Sequence, residues 1–382
     1  MRHFAFLSAA EETDIFHRPP QPFDRCADRA VLAYALGATL YMPATRPELA
    51  KDLRRRSVEG LISAVLCLED AIPDGEVAEG MRNVVSVLDD LAREEAAELP
   101  LLFVRVRTPA MLVDVAQRLG AGAALLTGFV LPKFDPGVAD AYVAALGDAA
   151  QAMGRRPYAL PILESPAILY REFRSAALDQ LHTVVSAQPE SFLGLRIGAT
   201  DMSGLLGLRR SSDLTLYDIG PMRDVISDIV NVFGRPESDH VISGPVWEYF
   251  TRDSRVFKPQ LRMSPFVEHG RTGVALRREL LDRHLDGLIR EVELDKAHGL
   301  LGKTVIHPTH VRAVNALSVV AHEEYADAIA VTSHDGGVLP SAYGNKMNEV
   351  KPHLTWARRV LRRADAFGVY AADRSYIDLL EM

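Results

Sequence analysis

The chain has 382 residues, 48% of them hydrophobic and 25% charged, with a formal charge of -8. That balance excludes a disordered or fibrous chain and argues against a nonspecific nucleic-acid binder, which usually carries a basic face. Two cysteines, Cys26 and Cys67, are too few for a disulfide framework or a cysteine-built zinc site, so a reducing compartment, by default the cytoplasm, is expected. The N-terminus meets Glu11, Glu12 and Asp14 before any adequate apolar stretch and reads as a poor signal peptide. The most apolar run, Ala121 to Pro132, is too short to span a membrane.

In chain order, residues 1–36 show no clean period and include Arg18-Pro19-Pro20-Gln21-Pro22, which breaks both helix and strand. An extension wrapped on the surface is expected there. From Gly37 onward, apolar runs predict strands at Ala38 to Met42, Ala64 to Leu68, Leu101 to Val106, Gly128 to Leu131, Tyr158 to Leu163, Leu193 to Ile197, His240 to Ser243 and Thr304 to Ile306. Between them lie helical patterns such as Asp74 to Glu95, Pro109 to Leu119, Pro136 to Met153 and Ala275 to Ala297. Eight βα units at this length predict a (β/α)₈ TIM barrel over residues 37–317, and no glycine-rich dinucleotide turn follows the first strand to favour an open sheet. An insertion at about 245–272 and a helical tail over 318–382, with a helix from Lys351 to Ala364, stand outside the minimal barrel.

The functional signal lies at the strand ends. Glu69 and Asp70 follow the second strand, Arg105 sits in the third, Lys133 follows the fourth, Glu164 the fifth, Asp201 the sixth and His307 the eighth. In a barrel these ends converge on the mouth where active sites form. Glu164 and Asp201, on neighbouring strands, suit a hard divalent cation such as magnesium; the alternative is that each caps the helix that follows. Arg105, between Val104 and Val106, needs an anionic partner, either a ligand's carboxylate or a structural ion pair. The loop Gly207-Leu208-Arg209-Arg210-Ser211-Ser212 is either a grip for a substrate phosphate or carboxylate, through Arg209, or a solvated turn. His307 and His310 lack the HExxH glutamate of a zinc protease, and neither a nucleophile elbow nor a nucleotide-binding P-loop is present.

These segments, in order, resemble the HpcH/HpaI aldolase and citrate lyase β-subunit superfamily, magnesium-dependent carbon-carbon bond lyases on a TIM barrel. The matching pieces are Leu40-Tyr41-Met42-Pro43 with Arg46-Pro47-Glu48, Leu68-Glu69-Asp70-Ala71 with Arg82, Val104-Arg105-Val106, Leu131-Pro132-Lys133, Glu164, Gly198-Ala199-Thr200-Asp201, Gly302-Lys303-Thr304-Val305-Ile306-His307-Pro308 and Asn345-Lys346-Met347-Asn348-Glu349. Within the superfamily the chain is similar to the barrels found beside tellurium-resistance genes.

The resemblance implies Glu164 and Asp201 as Mg²⁺ ligands, Arg105 as the arginine that holds the substrate's carboxylate or keto oxygen, and Glu69 and Asp70 around the ion's water shell. It implies a small anionic substrate, with an acyl-CoA among the options, and a homo-oligomer, a trimer or hexamer, in which the tail brings Glu349 to a neighbouring site. Two departures stand out: Ser165-Pro166 follow Glu164 where Thr-Ala is usual, and Glu349 replaces an aspartate. Positive charge from the ion, Arg105, Lys133 and Arg209 suits an oxo or hydroxy acid. The general base stays open among Glu69, Asp70, Glu349 and a metal-bound hydroxide, with His307 a weaker candidate because it precedes a proline in a motif that shapes the loop. A non-catalytic barrel that binds a metabolite or protein partner is the competing expectation.

Overall fold

The computed structural model describes residues 1–94, 99–238, 240–250 and 285–382. After a short strand, β1 (Phe16–Arg18), eight parallel strands follow: β2 (Ala38–Pro43), β3 (Ser63–Cys67), β4 (Leu101–Arg105), β5 (Leu126–Leu131), β6 (Tyr158–Leu163), β7 (Leu195–Ile197), β8 (Ile242–Ser243) and β9 (Lys303–Val305). Each apolar run anticipated in the sequence overlaps one of them. Their order is β8-β7-β6-β5-β4-β3-β2-β9. A parallel bridge between Gly244 and Lys303 joins the two ends, supported by Leu301 N–H donating to Ile242 O at 2.9 Å and Thr304 N–H to Gly244 O at 3.1 Å. The result is the TIM barrel.

Alternation along each strand decides which side chains face the barrel axis. In β4, Leu102 and Val104 pack outward among the helices, whereas Leu101 and Phe103 join the inner cluster with Val65, Val130, Leu160 and Ile162. Arg105 continues the inner series at the C-terminal end of its strand. The same parity turns Tyr41, Arg196, Ser243 and Thr304 inward, because their neighbours Leu40, Met42, Leu195, Ile197, Ile242 and Val305 belong to the outer layer. The lower barrel is therefore filled with apolar side chains, and polar ones gather toward the mouth.

Residues 1–36 do more than wrap the surface. Phe4, Leu7, Ile15, Phe16 and Leu32 are buried with the inner-barrel residues, and Arg25 and Arg29 donate to the carbonyls of Leu99, Leu125 and Phe192, just ahead of β4, β5 and β7. The segment closes the barrel at the end opposite its mouth. Its apolar residues are too irregularly spaced to reveal this from sequence, since no single face of a helix or strand carries them. The C-terminal part contributes two packed helices, His322–Thr332 and Val350–Phe367, flanking a hairpin of β10 (Val338–Pro340) and β11 (Met347–Glu349). A last strand, β12 (Val369–Tyr370), pairs antiparallel with β1, so the two chain ends hold each other. Of the expected insertion, only 245–250 is described; of the expected helix Ala275 to Ala297, Leu285–Ala297 is observed and the rest lies outside the described residues. No helix among the described residues is long and apolar enough to cross a membrane.

Candidate active site

The mouth of the barrel holds a cavity of about 250 Å³ lined by Tyr41, Asp70, Arg105, Glu164, Arg196 and Asp201, among others. Arg105 is its hub. One guanidinium nitrogen, Nη2, lies 2.7 Å from Glu69 Oε2, 3.2 Å from Asp70 Oδ2 and 3.4 Å from Glu164 Oε1, while its Nε is buried without a partner. Lys133 Nζ sits 2.6 Å from Glu69 Oε1 and 3.9 Å from Asp201 Oδ1. Its backbone takes the left-handed conformation, φ 50°, and its N–H donates to Glu164 Oε1 at 2.9 Å. A non-glycine residue in that region is held there by its surroundings; here the turn aims both the amide and the ammonium of one residue at the acidic cluster.

Four carboxyl groups thus face two cations, and their ionisation reflects the imbalance. Burial pushes the Glu164 carboxyl up to about 8, with Asp201 adding to the rise and Arg105 opposing it. Burial likewise raises Asp70, together with proton sharing with Glu69, to about 6. Glu69 goes the other way: burial would raise it, but its hydrogen bond with Asp70 and the charges of Arg105 and Lys133 hold it down to about 2. Burial works against the Arg105 charge, yet Glu164 and Glu69 keep the guanidinium firmly protonated.

Of the alternatives left by the sequence, helix capping does not describe Glu164. The next helix has Ser165 as its N-cap, and Glu164 accepts from Lys133 instead. Asp201 lies in the first turn of the helix Ala199–Leu205, whose N-cap is Gly198, with no side-chain capping bond. Gly198 has a further role, since a Cβ there would strike the Glu164 carboxylate; glycine permits this close approach of backbone to side chain.

Residues 30–369 match the family described as C–C bond lyase of the TIM-barrel fold. The chain belongs to this family. Among solved structures, the fold is shared with a citrate lyase from Burkholderia xenovorans (17% identity, 90% of this chain and 96% of that one, TM-score 0.58). It is also shared with CitE from Mycobacterium tuberculosis in complex with magnesium, acetoacetate and coenzyme A (18% identity, 87% and 99%, TM-score 0.55). A third is Haloferax volcanii malate synthase (14% identity, 78% and 77%, TM-score 0.53). No curated protein matches the chain.

In this lyase-family barrel, Glu69, Asp70, Arg105, Lys133, Glu164 and Asp201 come together as one cluster. Arg209 is exposed and outside the cavity lining; its neighbour Arg210 is the buried one, bound to Glu248 and Glu291. Glu349 is exposed at the end of β11, with its N–H donating to His353 Nδ1 at 3.1 Å, and does not line this cavity. His307 stacks on Phe250, ring centroids 4.2 Å apart, beside the site and outside the lining.

Three ionisable residues of the cavity were not among the expected site residues: Tyr41, Arg196 and Glu248. Tyr41 and Arg196 follow the inward parity of β2 and β7, a signal available once those strands are placed. Glu248, which follows the two-residue β8, has no comparable motif around it. Arg107 was also missed; it donates to the carbonyls of Leu68, Glu69 and Ile72 and so braces the loop that presents Glu69 and Asp70.

Proposed function

We propose that the chain is a magnesium-dependent carbon-carbon bond lyase acting on a small anionic oxo or hydroxy acid, or its acyl thioester, through an enolate. The observation that carries this reading is the cluster around Arg105, where the carboxyl groups of Glu69, Asp70, Glu164 and Asp201 outnumber the cations Arg105 and Lys133. Glu164 and Asp201 would hold the magnesium ion. Both offer hard oxygen donors, and a magnesium site commonly takes one or two carboxylates and leaves the remaining positions to water and substrate. When bound, the ion supplies positive charge where negative charge develops on a neighbouring oxygen.

The chain's own residues supply the rest. Arg105, fixed in place by Glu69, Asp70 and Glu164, presents a rigid cation beside the reacting carbonyl and is protonated throughout the working pH range. Asp70, exposed at the rim, takes the hydroxyl proton as the carbon-carbon bond breaks and the electron pair settles on the enolate. Glu69, tied to Arg105 and Lys133, keeps both cations oriented. Ile162 and Val246 line the same cavity and limit water around the carbanionic carbon. Magnesium and a coenzyme A ligand in a relative of the same fold support the choice of ion and of a thioester option. The reading includes a homo-oligomer, trimer or hexamer, with Glu349 directed to a neighbouring copy; a strict monomer near 42.0 kDa by light scattering would remove that part.

The test is proton exchange in heavy water. Protein, magnesium and candidate 2-oxo acids or acyl thioesters should give deuterium uptake at the carbon beside the carbonyl, and Asp201→Asn should abolish it. Tight binding without exchange for every ligand would favour a barrel that only binds.

A further inference from the structure

Arg196 differs from every other buried cation among the described residues. Arg105, Arg174, Arg210 and Lys303 each lie within ion-pair distance of at least one carboxylate. Arg196 is 1% exposed and faces only neutral groups. Its Nη2 donates to Thr39 Oγ1 at 2.7 Å, and its Nη1 lies 3.1 Å from Thr304 Oγ1 and 3.4 Å from Ser243 Oγ. The ring of Tyr41 lies 5.8 Å from its guanidinium carbon, and its Nε has no partner.

A buried charge without a counter-charge is costly, and proteins normally pair it. Arg196 is also not sealed off, since it lines the same cavity as Arg105, Glu164 and Asp201. Its position, in β7 with contacts to β2, β8 and β9, puts it across the barrel lumen from the Glu69 and Lys133 side of the mouth.

We propose that Arg196 is a second anion anchor, which holds a carboxylate of the substrate remote from the reacting carbonyl while Arg105 and the acidic cluster hold the reacting end. The inference rests on the lyase reading and narrows it to substrates with two acid groups. The surrounding hydroxyls of Thr39, Ser243 and Thr304 fix the guanidinium's plane without neutralising it, which preorganises the fork for a carboxylate. At about 250 Å³ the cavity is smaller than the usual drug-sized pocket, so a compact dicarboxylic acid fits the chemistry better than a large one.

Calorimetric titration of the full chain in magnesium, with pyruvate as the one-acid probe and oxaloacetate and 2-oxoglutarate as two-acid probes, tests this. The wild type should bind the better two-acid probe at least about tenfold more tightly than pyruvate, the size expected of one added charge-assisted pair. Arg196→Met should erase that preference and leave pyruvate affinity within about twofold. Equal wild-type affinity for all probes, with binding that needs magnesium and Asp201, overturns the anchor and leaves the lyase reading intact. Loss of affinity for all probes in parallel in the variant shows a purely structural arginine and also overturns it. No magnesium-dependent binding of any probe overturns the anchor and, with it, the free-acid form of the lyase reading. Should the methionine variant fail to fold, Arg196→Lys decides: a reduced preference for two acids with pyruvate affinity kept within about twofold supports the anchor, and an undiminished preference rejects it.

Discussion

Two clusters of buried charge lie within one barrel, and they are built to different ends. Behind the strands, Lys303 Nζ bonds to Glu291 at 2.9 Å and Asp295 at 2.7 Å, Asp295 accepts from Tyr217 Oη at 2.7 Å, and Glu291 pairs with Arg210 and accepts the Leu216 N–H at 2.9 Å. Lys303 and Glu291 are fully buried, and Lys303 and Arg210 between them meet Glu291 and Asp295, with Arg210 also paired to Glu248 at the cavity edge. In the cluster around Arg105, four carboxyl groups meet two cations, Asp70 is exposed, and Glu164 carries a carboxyl raised to about 8. Density of charge therefore does not mark the site. What marks it is charge left unbalanced beside an open cavity, because an incoming ion or substrate can then complete the pairing.

The comparison can be broken most severely at the metal ligands. A Glu164→Gln/Asp201→Asn double variant should lose magnesium-dependent turnover by about 10³-fold or more, as removal of a principal source of transition-state charge stabilisation does. Its melting temperature should not fall, since two mutually repelling acids are replaced by neutral isosteres. Undiminished magnesium affinity in calorimetry would refute the ligand assignment.

The rear network should respond in the opposite way. Lys303→Met leaves Glu291 and Asp295 buried without their shared cation and should cost about 3–5 kcal/mol of stability, read from urea denaturation, with turnover per folded molecule little changed. A loss below about 1 kcal/mol would mean that the network is not the structural counterpart described above.

The smallest effect concerns pH. Since the proton on Glu164 must leave before its carboxylate can hold a cation, magnesium affinity should rise as pH increases from 6 to about 8, by at most about tenfold per unit, and binding should release protons. Calorimetry in buffers of different ionisation enthalpy measures that release. A pH-independent affinity would show that the acid is already ionised before the metal arrives.

Much of this was legible in the chain itself. Short apolar runs separated by helical periods specify strands that bury both faces, so eight βα units follow from hydrophobic patterning, and their number, the chain length and the missing glycine-rich turn favour a barrel over an open sheet. Arg105, Glu164 and Asp201 stand out because a charged residue in or just past an apolar strand has few places to go except the mouth. Tertiary structure decided the rest, since pairing depends on distances that no local spacing encodes. A left-handed turn brings the Lys133 amide to Glu164, and strand closure sets Arg196 of β7 against hydroxyls from β2, β8 and β9. The helix Leu285–Ala297 looks like an ordinary amphipathic surface in sequence, yet its Glu291 and Asp295 face inward to Lys303, because the fold supplies that lysine from the neighbouring strand. Residue types and their period determine which chemistry is available; which charges are neutralised and which are left for a ligand is settled only when strands distant in sequence meet.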